Sequence, residues 1–250
     1  MKQHHIDLQP GDVGRYVLLP GDPGRTELIA SYFDDAKEVA YKREYRTFTG
    51  TLLGEKVSVT STGIGCPSAA IAIEELIAIG ADTFIRVGTS GGMQPHLIPG
   101  ELAIVNAAIR DEGTSSHYLP IEFPAVADID IVATLREACE KLGTPYHVGI
   151  SQSKDSFYGQ HAPQRMPVAD HLLDRWKAWI AGGAICSEME ASTLFAIAAI
   201  HRKRCGGVMQ IMANQEAPQK MEPYRDLTRM LQTVTEALKI LIERDRAQGT

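Results

Sequence analysis

The chain has 250 residues, with 25 Lys and Arg against 31 Asp and Glu and a formal net charge of -6 at pH 7. No basic block exists to track a phosphodiester backbone, which excludes a nucleic-acid-binding surface, and a chain of this size buries a core without disulfide or metal staples. The apolar runs are far shorter than a membrane span, Met1-Lys2-Gln3-His4-His5 lacks the apolar stretch of a secretion signal, and Cys66, Cys139, Cys186 and Cys205 are scattered without a CxxC pair. A globular cytoplasmic protein with no membrane partner is expected.

In chain order, short apolar runs alternate with helical patterns. Tyr16–Leu19 reads as a strand running into Pro20-Gly21-Asp22-Pro23-Gly24 and a short helix from about Arg25. Lys56–Ser61 is a strand, Pro67–Ile79 a helix with Pro in its first turn, Thr83–Val87 a strand ending at Gly88, and Leu102–Val105 another strand. Ile131–Leu142 reads as a helix closed by Gly143, followed by a strand over Tyr146–Ser151. Helices over Ala169–Ile180 and Met189–Ala199 precede a strand at Gly207–Met212. Leu227, Met230, Leu231, Val234, Leu238 and Leu241 then share one face of a terminal helix. No repeat or linker interrupts the pattern, so residues 1–250 read as one α/β domain around a central, mostly parallel or mixed sheet. In such sheets ligands bind beyond the carboxyl ends of strands.

Three glycine-bearing loops follow strands. Gly21-Asp22-Pro23-Gly24-Arg25 reads either as an ordinary turn or as an anion cradle of backbone N–H groups with Arg25 as a forked donor. Thr62-Gly63-Ile64-Gly65-Cys66-Pro67-Ser68 approaches a dinucleotide fingerprint, but Ser68 stands where its third Gly belongs and Pro67 removes an N–H. Arg86-Val87-Gly88-Thr89-Ser90-Gly91-Gly92 contains the G-x-S-x-G of a nucleophile elbow, yet Gly91, Gly92, Pro95 and Pro99 forbid the helix that such an elbow needs. Arg86 ends an apolar strand, where a charge is rarely buried without a partner, and the donor-rich Gly-Thr-Ser turn beside it suits phosphate. Arg43 reads as a surface strand charge or a further anion ligand. Glu188 and Glu190 read as dipole stabilisers of a helix start or as acceptors for vicinal hydroxyls. Phe157 and Gln160 lie in a surface loop or in a lid that stacks on a base and reads its edge. No metal-ligand spacing is present, and no His is a clear ligand.

The ordered series Gly21-Asp22-Pro23-Gly24-Arg25, Arg43-Glu44-Tyr45, Ser61-Thr62-Gly63-Ile64-Gly65, Arg86-Val87-Gly88-Thr89, Glu122-Phe123-Pro124-Ala125-Val126-Ala127-Asp128, Phe157-Tyr158-Gly159-Gln160 and Glu188-Met189-Glu190 resembles the nucleoside phosphorylase family with hexameric members, nearest its bacterial uridine-cleaving branch. The resemblance implies a three-layer α/β/α fold and phosphorolysis, with inorganic phosphate as co-substrate and no organic cofactor. It implies a phosphate pocket of Gly21, Arg25, Arg86 and Thr89, completed by Arg43 of a neighbouring subunit. Similarly, His5 corresponds to a histidine reaching a neighbour's ribose, Met189 and Glu190 to ribose contacts, and Phe157, Gln160 and Glu188 to the base site. Glu44, Ile64 and Ser68 match a potassium site at a dimer interface, so a homo-oligomer built from dimers, a hexamer, is implied.

Asn214 stands where purine-cleaving relatives carry an Asp that protonates the base, and the segment from Gly159 to Gly183 resembles the extra loop of uridine-cleaving members. Both favour uridine over a purine nucleoside. In enteric members an Arg follows Gln two residues later; here His161 and Ala162 follow Gln160, Arg165 is the substitute, and Gln215 replaces another arginine. The expected catalytic set is Arg86, Arg25 and Glu190, and Arg86→Ala is expected to abolish phosphorolysis with the fold intact. The alternatives are a purine nucleoside phosphorylase, a nucleosidase of the same fold and a non-catalytic nucleoside-binding protein.

Overall fold

A computed structural model describes residues 1–249. In chain order its elements are β1 (Tyr16–Leu19), α1 (Pro23–Ala30), β2 (Asp34–Lys42), β3 (Tyr45–Leu52), β4 (Glu55–Thr60), α2 (Cys66–Ala78), β5 (Thr83–Gly92), β6 (Leu102–Asp111), β7 (Ala125–Val126), α3 (Ile129–Leu142), β8 (Tyr146–Lys154), α4 (Phe157–His161), α5 (Ala169–Ala181), β9 (Cys186–Glu188), α6 (Ala191–Ile200), β10 (Arg204–Asn214) and α7 (Thr228–Gln248). The helix boundaries follow local chemistry. Asp22 caps α1 by accepting from the Gly24 N–H, and Asp128 caps α3 by accepting from Asp130 and Ile131. Gly143 closes α3 in the left-handed conformation expected of a C-terminal glycine.

The sheet is mixed, as expected. β5 lies at its centre, parallel to both β1 and β10. β10 pairs with β6, β6 with β8, β8 with β9, and β9 returns to β5, so five strands close into a ring. On the other side of β5, the order continues through β1, β4, β3 and β2 as an open wing. One core cluster packs the sheet against α2 and α6 through residues such as Ile73, Leu76, Leu194 and Ile197. The other packs the opposite face against α3 and α7 through Ile131, Leu135, Met230, Val234, Leu238 and Leu241. Helices on both faces give the three-layer α/β/α arrangement. Among the described residues no helix is long and apolar enough to cross a membrane.

The structure differs from the sequence reading in three places that shape the site. β2 and β3 form a hairpin that was not expected: the edge strand β2 is mostly exposed and carries no buried alternation, whereas β3 does alternate and was missed with its partner. Its turn places Arg43 at φ 55 with Glu44 beside it. The donor-rich segment after Val87 is no turn: β5 runs on through Gly88, Thr89 and Ser90 to Gly92, held by β10 across Val208–Asn214. Finally, α6 begins at Ala191 rather than Met189, which leaves Met189 and Glu190 in the connection from β9.

Candidate active site

A cavity of about 750 Å³ opens at the carboxyl ends of β1 and β5. It is lined by Gly21 from the first loop, Arg25 from the first turn of α1, Arg86 and Thr89 from β5, and Met189 and Glu190 before α6; Phe157 of α4 lies on its wall. The sheet topology brings these distant segments together. β9 pairs with the end of β5 at Gly91 and Gly92, so Glu188 arrives beside Arg86.

Arg86 is 4% exposed and lies between two carboxylates. Its Nε donates to Glu188 Oε2 at 2.9 Å, and its Nη2 makes an ion pair with Glu190 Oε2. Gly88 makes this geometry feasible: a Cβ there would lie 2.4 Å from Met209 Sδ and 3.1 Å from Arg86 Nη2. Glu188 also accepts from the Glu190 and Ala191 N–H groups at 2.8 and 3.0 Å, and from the Ser153 hydroxyl. Its carboxylate thereby caps α6 and orients Arg86, with no oxygen left uncommitted. Glu190 Oε1 accepts from the Gly65 N–H at 2.7 Å. Burial pushes the Glu190 carboxyl above its usual range while Arg86 pulls against that.

Arg25 supplies the second cation. Burial and the neighbouring Arg86 push its guanidinium below the usual range, and the nearest carboxylate, Asp22, is 4.0 Å from Nε. The loop N–H groups expected to cradle an anion are partly committed, since the Gly24 N–H donates to Asp22 Oδ1 and the Arg25 N–H to Asp22 O. Each guanidinium nevertheless keeps one nitrogen uncommitted. Arg25 Nη1 and Arg86 Nη1 are both buried and without a hydrogen-bond partner among the described residues. A buried and a part-buried cation that repel each other, each with a buried unsatisfied donor, constitute a demand for an anion.

At the other end, Phe157 and His161 stand with ring centroids 4.2 Å apart. Lys154 forms part of the wall between this cavity and a second of about 430 Å³ that also holds Gln160 and His161. Ser187 Oγ lies 2.7 Å from both Gln152 Oε1 and Gln160 Oε1 and accepts from Lys154 Nζ at 2.7 Å. A hydroxyl has one proton to give. Gln152 is held by Asp111 at 2.6 Å, so Gln160 is the amide free to turn toward a ligand.

Several expected site residues are not in this chain's own cavity. Arg165 is exposed and lies over the Tyr158 ring at 5.8 Å, lining neither cavity. His5 is tied to Glu75 of α2, with Nδ1 2.6 Å from Oε1. Arg43 is exposed on the β2–β3 turn. Glu44 and Ser68 meet at the cavity rim, the Ser68 hydroxyl 2.8 Å from Glu44 Oε1, with Ile64 exposed beside them. Gly63 permits that contact: its φ is +69, and a Cβ would lie 2.7 Å from Glu44 Cγ. These are hard oxygen donors on a surface, and they fit one half of an alkali-cation cage rather than a closed one. Asn214 donates to Gln94 O and Leu97 O and accepts from the Glu216 N–H, so its amide is built into the scaffold and faces no ligand. Gln215 Nε2 lies 2.7 Å from His161 Nδ1. The sequence reading missed Lys154, which follows the polar run Ser151-Gln152-Ser153 and carries no local signal.

Residues 15–244 match the phosphorylase superfamily. The uridine phosphorylase of Treponema pallidum is 48% identical over 97% of this chain and 95% of the relative. That of Thermococcus kodakarensis is also 48% identical, over 97% of this chain and 88% of its own length. A guanosine phosphorylase of Halorubrum lacusprofundi is 38% identical over 85% of this chain and 84% of its own.

Proposed function

The chain belongs to the phosphorylase superfamily, and on that premise we infer that it cleaves uridine with inorganic phosphate, giving uracil and ribose 1-phosphate. It is a pentosyltransferase of nucleoside salvage. The observation that carries the site reading is the pair of buried, unpartnered Nη1 donors on Arg25 and Arg86. A phosphate between them, with Thr89 and the Gly21 N–H, gains charge-assisted bonds of about 1.5–3 kcal/mol each. An oxygen of that phosphate attacks C1′ as the sugar acquires oxocarbenium character, so the pocket acts chiefly by positioning the nucleophile. Glu190 accepts from the ribose hydroxyls, Met189 packs on the sugar, Phe157 packs on the base and Gln160 reads its edge. Glu188 orients Arg86.

Arg25→Ala tests the phosphate pocket. Arg25 has only a distant carboxylate for partner, so its removal leaves no buried charge stranded. The KM for phosphate is expected to rise by at least about tenfold, with the KM for uridine little changed. An unaltered phosphate KM overturns the assignment.

Arg43 and His5 are exposed or tied away from their own cavity, which supports a site completed by a second copy of the chain. The assembly is then a homo-oligomer based on dimers, a hexamer of one-domain subunits spanning residues 1–250. Glu44, Ile64 and Ser68 would hold a potassium ion with the same residues of the partner, neutralising Glu44 and fixing the rim. The four free cysteines, all buried, support a cytoplasmic location.

A further inference from the structure

Lys154 is the last residue of β8 and only 6% exposed, yet it lines both cavities. An ammonium carries three N–H donors. One donates to Ser187 Oγ at 2.7 Å, and the ammonium makes no other hydrogen bond among the described residues. Burying a cation with two donors uncommitted is costly unless a ligand takes them.

We propose that Lys154 is a catalytic residue of the phosphorolysis inferred above, its ammonium donating to a carbonyl oxygen of the departing pyrimidine and offsetting the charge that the ring acquires. The inference rests on that reading of the site. As the C1′–N1 bond breaks, its electron pair passes to the ring and spreads over N1, O2 and O4. An unprotonated oxygen of hydrogen phosphate forms the C1′–O bond, and the proton on another of its oxygens ends on uracil; Lys154 keeps its own. The charge develops at the Phe157 end of the cavity, where the cations so far considered do not act. Arg165 lies over Tyr158 outside the cavity, and partial burial and Lys154 itself push the His161 imidazole below its usual range, which disfavours its charged form. Arg86 is committed to Glu188 and Glu190 at the phosphate end.

Every element packed around Lys154 contributes a charged or titratable group. Glu188 and Cys186 come from β9, Glu190 from the connection to α6, Asp111 from β6 and His161 from α4. Asp111 is itself paired with Arg175 of α5. The carboxylates favour the ammonium, but burial outweighs them and draws its pKa down to about 8. A donor in this range responds to a negative charge forming beside it, and at a buried ammonium that stabilisation is screened less than at the surface.

The test compares Lys154→Met and Lys154→Arg on uridine and on 5-fluorouridine, whose ring accommodates negative charge without help. Lys154→Met is expected to lower kcat/KM for uridine on the order of 10²-fold and for 5-fluorouridine by less than about tenfold, with the phosphate KM unchanged. Lys154→Arg recovers most of the uridine rate and moves the alkaline limb of the pH profile to higher pH than in the wild type. Equal losses on both nucleosides, or a Lys154→Met enzyme with wild-type kcat/KM, overturn the proposal while leaving the assigned reaction standing. A wild-type enzyme inactive on both nucleosides with phosphate overturns the assigned reaction itself.

Discussion

Arg86 and Arg25 carry the same charge toward the same cavity, but they answer to substitution differently. Arg86 is the counterion of two buried carboxylates, and its removal strands both. Breaking a buried pair of this kind costs about 3–5 kcal/mol. Arg86→Ala is therefore expected to lose phosphorolysis and to lower the thermal midpoint, whereas Arg25→Ala loses phosphate affinity alone. The intact fold expected for Arg86→Ala from sequence does not follow from this geometry, and a thermal scan of the two variants side by side checks the difference. A wild-type midpoint for Arg86→Ala would show that the carboxylates are relieved by protonation or solvent. The residue types of the site were legible because a charge at the end of an apolar strand demands a partner. The partners themselves were not, since Glu188 lies 102 residues away and only the β5–β9 pairing brings it within reach. Glu188 reads in sequence as a dipole stabiliser or an acceptor for vicinal hydroxyls, and by resemblance as a base contact; in the fold its carboxylate accepts from the first N–H of α6 and holds Arg86. Lys154 escaped notice because a lone lysine after a polar Ser-Gln-Ser run has no local signature.

Among the elements, α7 is the one whose amphipathic spacing identified it without ambiguity, and five of its six expected core residues are buried. Periodicity does not disclose how its far end is fixed. Asp245 accepts from the Tyr16 hydroxyl at 2.6 Å and from Arg204 Nη1 at 2.8 Å, fastening α7 to β1 and β10. Burial with the Asp245 contact pushes the Tyr16 hydroxyl up to about 12. Although burial opposes ionisation of Asp245, its hydrogen bonds with Arg204 and Tyr16 hold the carboxyl below its usual 3.8. A depressed carboxyl contributes stability above the unfolded pKa and loses it as pH falls through the folded one. Asp245→Asn is thus expected to lose about 2 kcal/mol at pH 7, and its deficit against the wild type should narrow once the pH drops below about 4. Urea unfolding at pH 7 and at pH 3 measures both. A deficit that does not change with pH would mean the carboxylate's charge is irrelevant to holding α7. The β2–β3 hairpin shows the opposite limit of sequence reading: an exposed edge strand has no buried face to impose a period, so nothing in its side chains announces it.

For the whole molecule, a net charge of -6 and an anionic substrate are reconciled by concentration of positive charge in one place. Two guanidiniums with buried, unsatisfied donors suffice for one phosphate, while the surface as a whole repels polyanions. If a neighbouring copy lends Arg43, subunits inactivated at different halves of the site should complement one another. Arg25→Ala and Arg43→Ala chains, each weakly active alone, are expected to regain up to about a quarter of wild-type activity when unfolded, mixed and refolded together, because some sites then combine two intact halves. Mixtures no more active than the separate variants would place Arg43 outside the site. The central claim is met most directly by a spectrophotometric assay of uridine and inosine, each with and without inorganic phosphate. The account predicts rapid loss of uridine that requires phosphate and yields ribose 1-phosphate, with little turnover of inosine, where the scaffold-bound Asn214 amide offers no proton to a purine. Uridine cleavage at the same rate in phosphate-free buffer, or a preference for inosine, would contradict it.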